Sequence, residues 1–186
     1  MNEDGTMAKG EDLFKFAKKH KLKIAKIEDL ISYRLKNEKF VKNISNKIIN
    51  IKKFGKFDLK VFINKLDSSE HYAITKGKFF KNRSVRVRVI STNILKNITN
   101  FKKNTFNNSL NYLTKFNNFA LIVVKGSGAD SSSMENNSGI LRQYGVGAQI
   151  IKELKIKNMI LVSRSKKRII ALKGYGIKVV KQEIIK

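Results

Sequence analysis

Few side chains in this sequence have types and spacing suited to chemistry, and those few are cations and hydroxyls. Ser163, Arg164, Lys167 and Arg168 follow directly on the short apolar run Met159 to Val162. Where a buried strand runs into a helix, the strand's carboxyl end meets the free N–H groups and positive dipole of the helix N-terminus. Cations and hydroxyls at that edge suit an anion, and a phosphate fits. Metal-assisted hydrolysis has no comparable set of groups. The chain has no cysteine, so it offers neither a thiolate ligand nor a disulfide, and this test does not reveal the redox compartment. Its two histidines, His20 and His71, stand in no ligand spacing, and a structural or surface role is expected for His71. Gly126-Ser127-Gly128 looks like a phosphate cradle, but a lone Gly-Ser-Gly is a weak signal, and Asp130 and Glu135 beside it have the wrong sign. A solvated or disordered loop over GSGADSSSMENNSG is the favoured reading.

The elements that must position these groups can be read from periodicity. Val146, Ile150, Ile151 and Leu154 fall at helical spacing, and Met159 to Val162 is a short buried strand. Ser165 is a capping residue for a basic apolar helix, Lys166 to Leu172, which closes at Gly174, and a strand Ile177 to Val180 follows. With the apolar run Ala120 to Val124 ahead of them, the order is strand, helix, strand, helix, strand, which predicts parallel strands and right-handed crossovers. Upstream, Phe57 to Ile63, Tyr72 to Thr75 and Val85 to Val89 alternate with period two, which predicts half-buried antiparallel strands. Phe106, Leu110 and Leu113 mark an amphipathic helix within Asn104 to Asn118. Residues 1–38 read as a turn and two helical segments, the first with Leu13, Phe16 and Ala17 on one face, the second with Ile27, Leu30, Ile31 and Leu35. Residues 39–52 read as a linker, and the aromatic set Phe14, Phe16, Phe54, Phe57, Phe62 and Phe116 as core rather than a base-stacking platform.

With 186 residues, 41% of them hydrophobic, the chain suits one domain with an appendage. Forty Lys and Arg against 14 Asp and Glu give a formal charge of +26, which ordinarily suggests a polyanion partner. Yet 33 of those cations are lysines spread over every segment, alongside 19 asparagines and no proline or tryptophan, a profile of drift towards AT-rich codons. A nucleic-acid footprint should cluster on one element, so nucleic acid is not the favoured partner. The longest apolar runs fall far short of the ~18 residues of a membrane span. The acidic start MNEDGTMAKGEDL has no signal core, so cytoplasmic is the default.

Three groups of words resemble riboflavin-biosynthesis proteins. LRQYGVGAQI (141–150), the loop Ser163 to Arg168 and the closing LKGYGIKVV are similar to the C-terminal part of GTP cyclohydrolase II. Lys53 to Phe57 and Glu70 to Gly77 resemble its Tyr-Gly-Glu-Phe and Glu-His-Leu-Ala-Leu-Val-Lys-Gly segments. MNEDGTMAKGEDLFKFAKKHKLKI and IEDLISYRLKNE resemble the last segment of 3,4-dihydroxy-2-butanone 4-phosphate synthase. The resemblance implies a mixed α/β fold with antiparallel strands in its N-terminal half and a parallel βαβαβ C-terminal half. It divides the chain into a synthase tail (1–38), a linker (39–52) and a GTP cyclohydrolase II-like domain (53–186), expected to be the C-terminal piece of a longer bifunctional protein.

The resemblance also implies a site, and there the chain departs. Where family members read Arg-Val-His-Ser-Glu-Cys and then carry two more zinc-binding cysteines, this sequence has Arg88, Val89, Ile90, Ser91, Thr92 and Asn93. Arginine and serine persist; histidine, glutamate and thiolates are gone. Arg142 matches the family arginine proposed to act on the GTP phosphates, but Ile140 stands in place of the partner acid. Ser163 and Arg168 match nucleotide-contacting threonine and lysine. The expected nucleotide or phosphate contacts are therefore Arg88, Ser91, Arg142, Ser163, Lys167 and Arg168, with Arg142 a catalytic remnant, no metal ligand, no zinc, and the synthase's magnesium site outside this chain. The bland alternative is that Arg142, Lys167 and Arg168 are solvated charges. The implied partners are GTP or another phosphate-bearing small molecule, a dihydroxybutanone phosphate synthase domain and a second copy in a homodimer. The implied role is a non-catalytic nucleotide-binding, structural or regulatory one. A basic RNA-binding module and an active GTP cyclohydrolase II are the alternatives.

Overall fold

Alternating valines make Val85 to Thr92 the strand around which the sheet is built, because β-branched side chains pack well on a pleated surface. The computed structural model describes residues 5–25, 29, 33, 37–80, 82–92, 105–125, 137–166 and 175–185, with backbone alone at 92 and 137–144. Its strands are β1 (Val41–Ile51), β2 (Gly55–Asn64), β3 (Glu70–Lys76), β4 (Val85–Thr92), β5 (Phe119–Lys125), β6 (Asn158–Ser163) and β7 (Lys178–Ile184). Its helices are α1 (Glu11–Lys19), α2 (Thr105–Leu113) and α3 (Asn137–Glu153). The seven strands form one mixed sheet in the order β1-β2-β3-β5-β4-β6-β7. The pairs β1–β2, β2–β3 and β3–β5 are antiparallel, whereas β4–β5, β4–β6 and β6–β7 are parallel.

Burial on both faces follows from the strand period. On β5, Ala120, Ile122 and Val124 point into one core cluster, while Phe119, Leu121 and Val123 point into the other. The first cluster takes Ala148, Ile150 and Ile151 from α3 and Leu154 just past its end; the second takes Leu110 and Leu113 from α2. Leu121 and Ile122 are fully buried, each a contribution of about 1.5–3 kcal/mol. At Gly147 an added Cβ would stand 3.3 Å from Val89 Cγ1, so α3 sits close on β4. The side-chain amide of Gln149 fixes the start of β1. Its Oε1 accepts from the N–H groups of Phe40 (3.0 Å) and Val41 (3.2 Å), and its Nε2 donates to Glu38 O at 3.0 Å.

The chain divides into two compact units, Met1–Arg34 and Leu35–Lys186. In the first, α1 carries Glu11 and Asp12 in its first turn and Lys18 and Lys19 in its last, which complements the helix dipole. Ala17 is buried, but Phe14 and Phe16 are 63% and 53% exposed, so the expected core role fails for these two.

Three further expectations are corrected. Residues 41–51 are no linker but an eleven-residue strand paired along its length with β2. The polar residues that suggested a connection belong to an outer strand with few buried positions. β4 is parallel to both its neighbours and separates β5 from β6, so the apparent consecutive βαβ unit is interrupted by a strand from earlier in the chain. Its arginines are not on a solvated face either, since Arg88 is 4% exposed. Residues 167–172 of the expected helix Lys166 to Leu172, the Gly126–Gly128 loop and most of the second N-terminal helix lie outside the described residues.

Replacing Gln149 by leucine keeps the volume and strands two N–H groups and a carbonyl at the entry to β1. The expected loss is about 2 kcal/mol, seen as a fall in thermal midpoint of roughly 4–8 °C. An unchanged midpoint would show that the amide clamp contributes nothing.

Candidate anion-binding site

Arg86 and Arg88 stand two residues apart on β4 and so point to the same face, the one that α2 covers. Their surroundings differ in one respect. Arg86 is paired: its Nε donates to Glu183 Oε2 at 2.9 Å and its Nη2 to Oε1 at 3.1 Å, a two-pronged geometry that suits guanidinium and carboxylate. Tyr112 Oη donates to the same carboxylate at 2.9 Å, and the Phe116 ring lies 3.5 Å from Arg86 Cζ. Burial alone would push the Glu183 carboxyl up. The hydrogen bonds from Arg86 and Tyr112, with the charges of Arg86 and Lys181, outweigh that and hold it below the usual carboxylate range.

Arg88 has no such partner. Its Nε donates to Ser109 Oγ and its Nη1 to Val162 O at 3.4 Å, both neutral acceptors, and Ser109 Oγ in turn donates to Thr105 O. Desolvation, then the nearby positive charge of Arg164, pushes the Arg88 guanidinium down from its ordinary value. Arginine nonetheless stays charged in proteins. No carboxylate pairs with it among the described residues, and the sequence explains why. No Asp or Glu occurs between Glu70 and Asp130, nor between Glu153 and Glu183. The stretches that build β4, α2, β5 and β6 are thus free of acid, and Glu183 is committed to Arg86.

Arg164, just past β6, is exposed and donates through Nη2 to Thr105 Oγ1, at the first turn of α2. Two arginines and two hydroxyls therefore converge where β4 and β6 meet α2. Of the residues expected from sequence, the structure brings Arg88 and the Ser163–Arg164 corner together. Ser163 Oγ turns back to donate to Ser165 O at 2.7 Å, and Ser91 is exposed at the end of β4. Arg142 lies on α3 with only its backbone described, and Lys167 and Arg168 lie outside the described residues. Thr105 and Ser109 were missed. Their signal was present, two hydroxyls four apart on an amphipathic helix, but the helix's apolar positions alone were used to orient it.

The zinc that the resemblance implies does not fit these residues. There is no cysteine, and no group of three His, Asp or Glu able to hold a metal occurs among the described residues. His71 is 2% exposed and has both ring nitrogens engaged: Nδ1 accepts from Lys125 N–H at 3.2 Å, and Nε2 lies 3.1 Å from Ser69 Oγ, which donates to Asp67. Accepting a backbone N–H at Nδ1 places the ring proton on Nε2. Burial holds this imidazole below its ordinary value, with Asp67 opposing and Lys125 assisting. The chain has one other histidine, His20, and it ends α1 in the other unit, where its ring stacks on Phe16 with centroids 4.4 Å apart. Among the described residues, the arrangement presents two guanidiniums and two hydroxyls, chemistry suited to an anion.

Comparison with known proteins agrees with this fold. Residues 42–128 and 115–183 match the family model for GTP cyclohydrolase II. The chain belongs to the GTP cyclohydrolase II family. It is 30% identical to riboflavin biosynthesis protein RibBA of Aquifex aeolicus, over 100% of this chain and 52% of that protein. It is 34% identical to the 3,4-dihydroxy-2-butanone 4-phosphate synthase of Photobacterium phosphoreum, over 97% and 53% respectively. Among solved structures it is similar to RibBX of A. baumannii, a two-domain 3,4-dihydroxy-2-butanone 4-phosphate synthase, with a TM-score of 0.71 and 30% identity over 100% of this chain and 52% of that one. The chain thus spans about half the length of the curated relatives it matches. No helix among the described residues is long and apolar enough to cross a membrane. Within this GTP cyclohydrolase II-type unit, the family's strand and helix scaffold stands without a thiolate set.

A buried neutral His71 makes stability depend on pH. Its folded pKa lies below the unfolded 6.5, so the unfolded chain binds the extra proton. Stability from this group is complete above that value and is lost as pH falls through it towards the folded pKa. Urea midpoints measured from pH about 8 to 5 should fall in this window, and His71→Gln should flatten the fall. A pH dependence identical in both proteins would assign it to other groups.

Proposed function

We propose that this chain is a GTP cyclohydrolase II-type domain that binds a phosphate-bearing ligand, GTP or a related nucleotide, without opening its ring. It serves a dihydroxybutanone phosphate synthase as a structural or regulatory partner. The observation that carries the reading is the asymmetry at the carboxyl edge of the sheet: among the described residues no acid neutralises Arg88 or Arg164, while the sequence has no cysteine to supply a zinc thiolate.

Ring opening of a purine needs a nucleophilic water, and a zinc ion supplies one by lowering the pKa of bound water to about 7. The chain has no thiolate to hold such an ion, and no group of three His, Asp or Glu able to hold one occurs among the described residues. His71 cannot replace it, because its ring is buried with both nitrogens in use. What remains is charge complementarity, with Arg88, Ser91, Arg142, Ser163, Lys167 and Arg168 as the phosphate-facing contacts of the proposal. That two of the relatives are themselves dihydroxybutanone phosphate synthases supports the partner. A homodimer in the cytoplasm is part of the same proposal.

The test is GTP added to the purified chain, with and without supplied zinc, following formate release and heat of binding in one preparation. Binding without formate is the expected outcome. Stoichiometric zinc with sustained formate release would overturn the reading, and so would absence of GTP binding.

A further inference from the structure

We infer that the amino edge of the parallel part of the sheet, carrying Lys78, Arg83, Lys115, Lys157, Lys178 and Phe80, is a binding surface for a single-stranded nucleic acid. The surface lies at the opposite end of the strands from the anion contacts of Arg88 and Arg164.

Strand register brings these residues level. Lys76 at the end of β3 and Arg86 near the start of β4 both stand opposite Phe119, the first residue of β5. Val85 of β4 stands opposite Met159 of β6, and Asn158 of β6 opposite Lys178 of β7. Lys78 follows β3, Lys115 precedes β5, Arg83 precedes β4, Lys157 precedes β6 and Lys178 opens β7. Taken in the spatial order β3-β5-β4-β6-β7, they make a row four strand spacings long, about 19 Å from end to end. Neighbouring members sit on touching segments. Lys178 N–H donates to Lys157 O at 2.8 Å, and a Cβ added at Gly77 would collide with Asn117 O, so the loops that carry Lys78 and Lys115 are pressed together. In the chain these cations are spread from Lys78 to Lys178 and belong to no one element; the sheet collects them.

Nothing acidic is interleaved with them. All five are exposed, and no Asp or Glu occurs from His71 to Ala129 or from Leu154 to Gln182. Among the described residues none of the five is ion-paired. Glu153, at the end of α3, is held by Lys39 Nζ at 2.9 Å, and Asp58 lies on β2, beyond the end of the row. Like charges gathered in this way repel, and a phosphodiester chain relieves the repulsion while releasing its own counter-ions.

A ring on the same edge selects among anionic partners. Phe80 is 55% exposed, the one exposed aromatic of its unit among the described residues, while Phe79 beside it packs on the core and fixes the loop. Arg83 N–H donates to Phe80 O at 3.1 Å, and the Arg83 guanidinium carbon lies 5.6 Å from the Phe80 centroid. An exposed π-face beside a cation is a platform for an unpaired base. A lipid surface asks for several apolar side chains to insert, and an acidic protein surface has no use for the ring.

The experiment is fluorescence anisotropy on the full chain with a labelled single-stranded oligouridylate of about ten nucleotides, titrated at several potassium chloride concentrations. Five phosphate contacts predict a slope of log affinity against log salt of about −3.5. Lys157→Gln with Lys178→Gln should make that slope shallower by about 1.4. Phe80→Ala should weaken binding about five- to a hundredfold with the slope unchanged. The control is Lys42→Gln with Lys47→Gln, which removes the same charge from exposed positions on β1 and should leave affinity and slope nearly as they were. Equal losses from the control pair and the edge pair would show diffuse attraction to a lysine-rich surface and would overturn the site. Wild-type affinity in Phe80→Ala would overturn it as well, leaving a polyanion contact without base stacking. So would retention on phosphatidylglycerol vesicles with no binding of RNA, which would make the edge a lipid contact. Failure of GTP to bind, with RNA held through this edge, would remove the function proposed above and leave this inference standing.

Discussion

A strand enclosed on both faces cannot leave a charge to the solvent, and β4 is such a strand. It runs between β5 and β6, with α3 close against Val89 on one side and α2 over Arg86 and Arg88 on the other. A buried polar group on it must find its acceptor inside the fold. For Arg86 that requirement ties β4 to β7 through Glu183 and to α2 through Tyr112, so one carboxylate joins three elements that are far apart in the chain. For Arg88 the acceptors among the described residues are neutral groups, Ser109 Oγ and Val162 O.

The two arginines also separate structural work from binding work. Replacing a paired, part-buried charge leaves its partner stranded and destabilises; replacing an unpaired buried charge by an apolar side chain of similar size removes a cost. Arg88 is thus a poor choice for stability alone. The histidine tells the opposite story. His71, the one histidine of its unit, is fixed by Lys125 and Ser69 and serves to join the ends of β3 and β5.

Much of the scaffold could be read from periodicity because burial and secondary structure share the same repeat. Val146 to Leu154 gave the inner face of α3, Phe106 to Leu113 gave α2, and the runs at 120–124 and 159–162 gave β5 and β6. β1 was lost because an outer strand buries few side chains, so its alternation is diluted by Asn and Lys. The direction of β4 was lost for a different reason. Period-two alternation reports that a strand has two faces, but not which strands lie beside it, and here the polar member of the alternation is covered by a helix rather than by water.

Sequence by itself determined the chemistry that is missing and the raw material that is left: no cysteine, two unsuited histidines, and long acid-free stretches containing arginines and hydroxyls. Those are facts of composition and need no coordinates. Tertiary structure alone decided which arginine is neutralised. The choice between Arg86 and Arg88 depends on Glu183, nearly a hundred residues further on, arriving on β7 opposite one of them, and on α2 setting Ser109 opposite the other. Pairing of that kind follows from strand order and helix placement, which local patterns do not encode, so the anion site became visible only when the chain was folded.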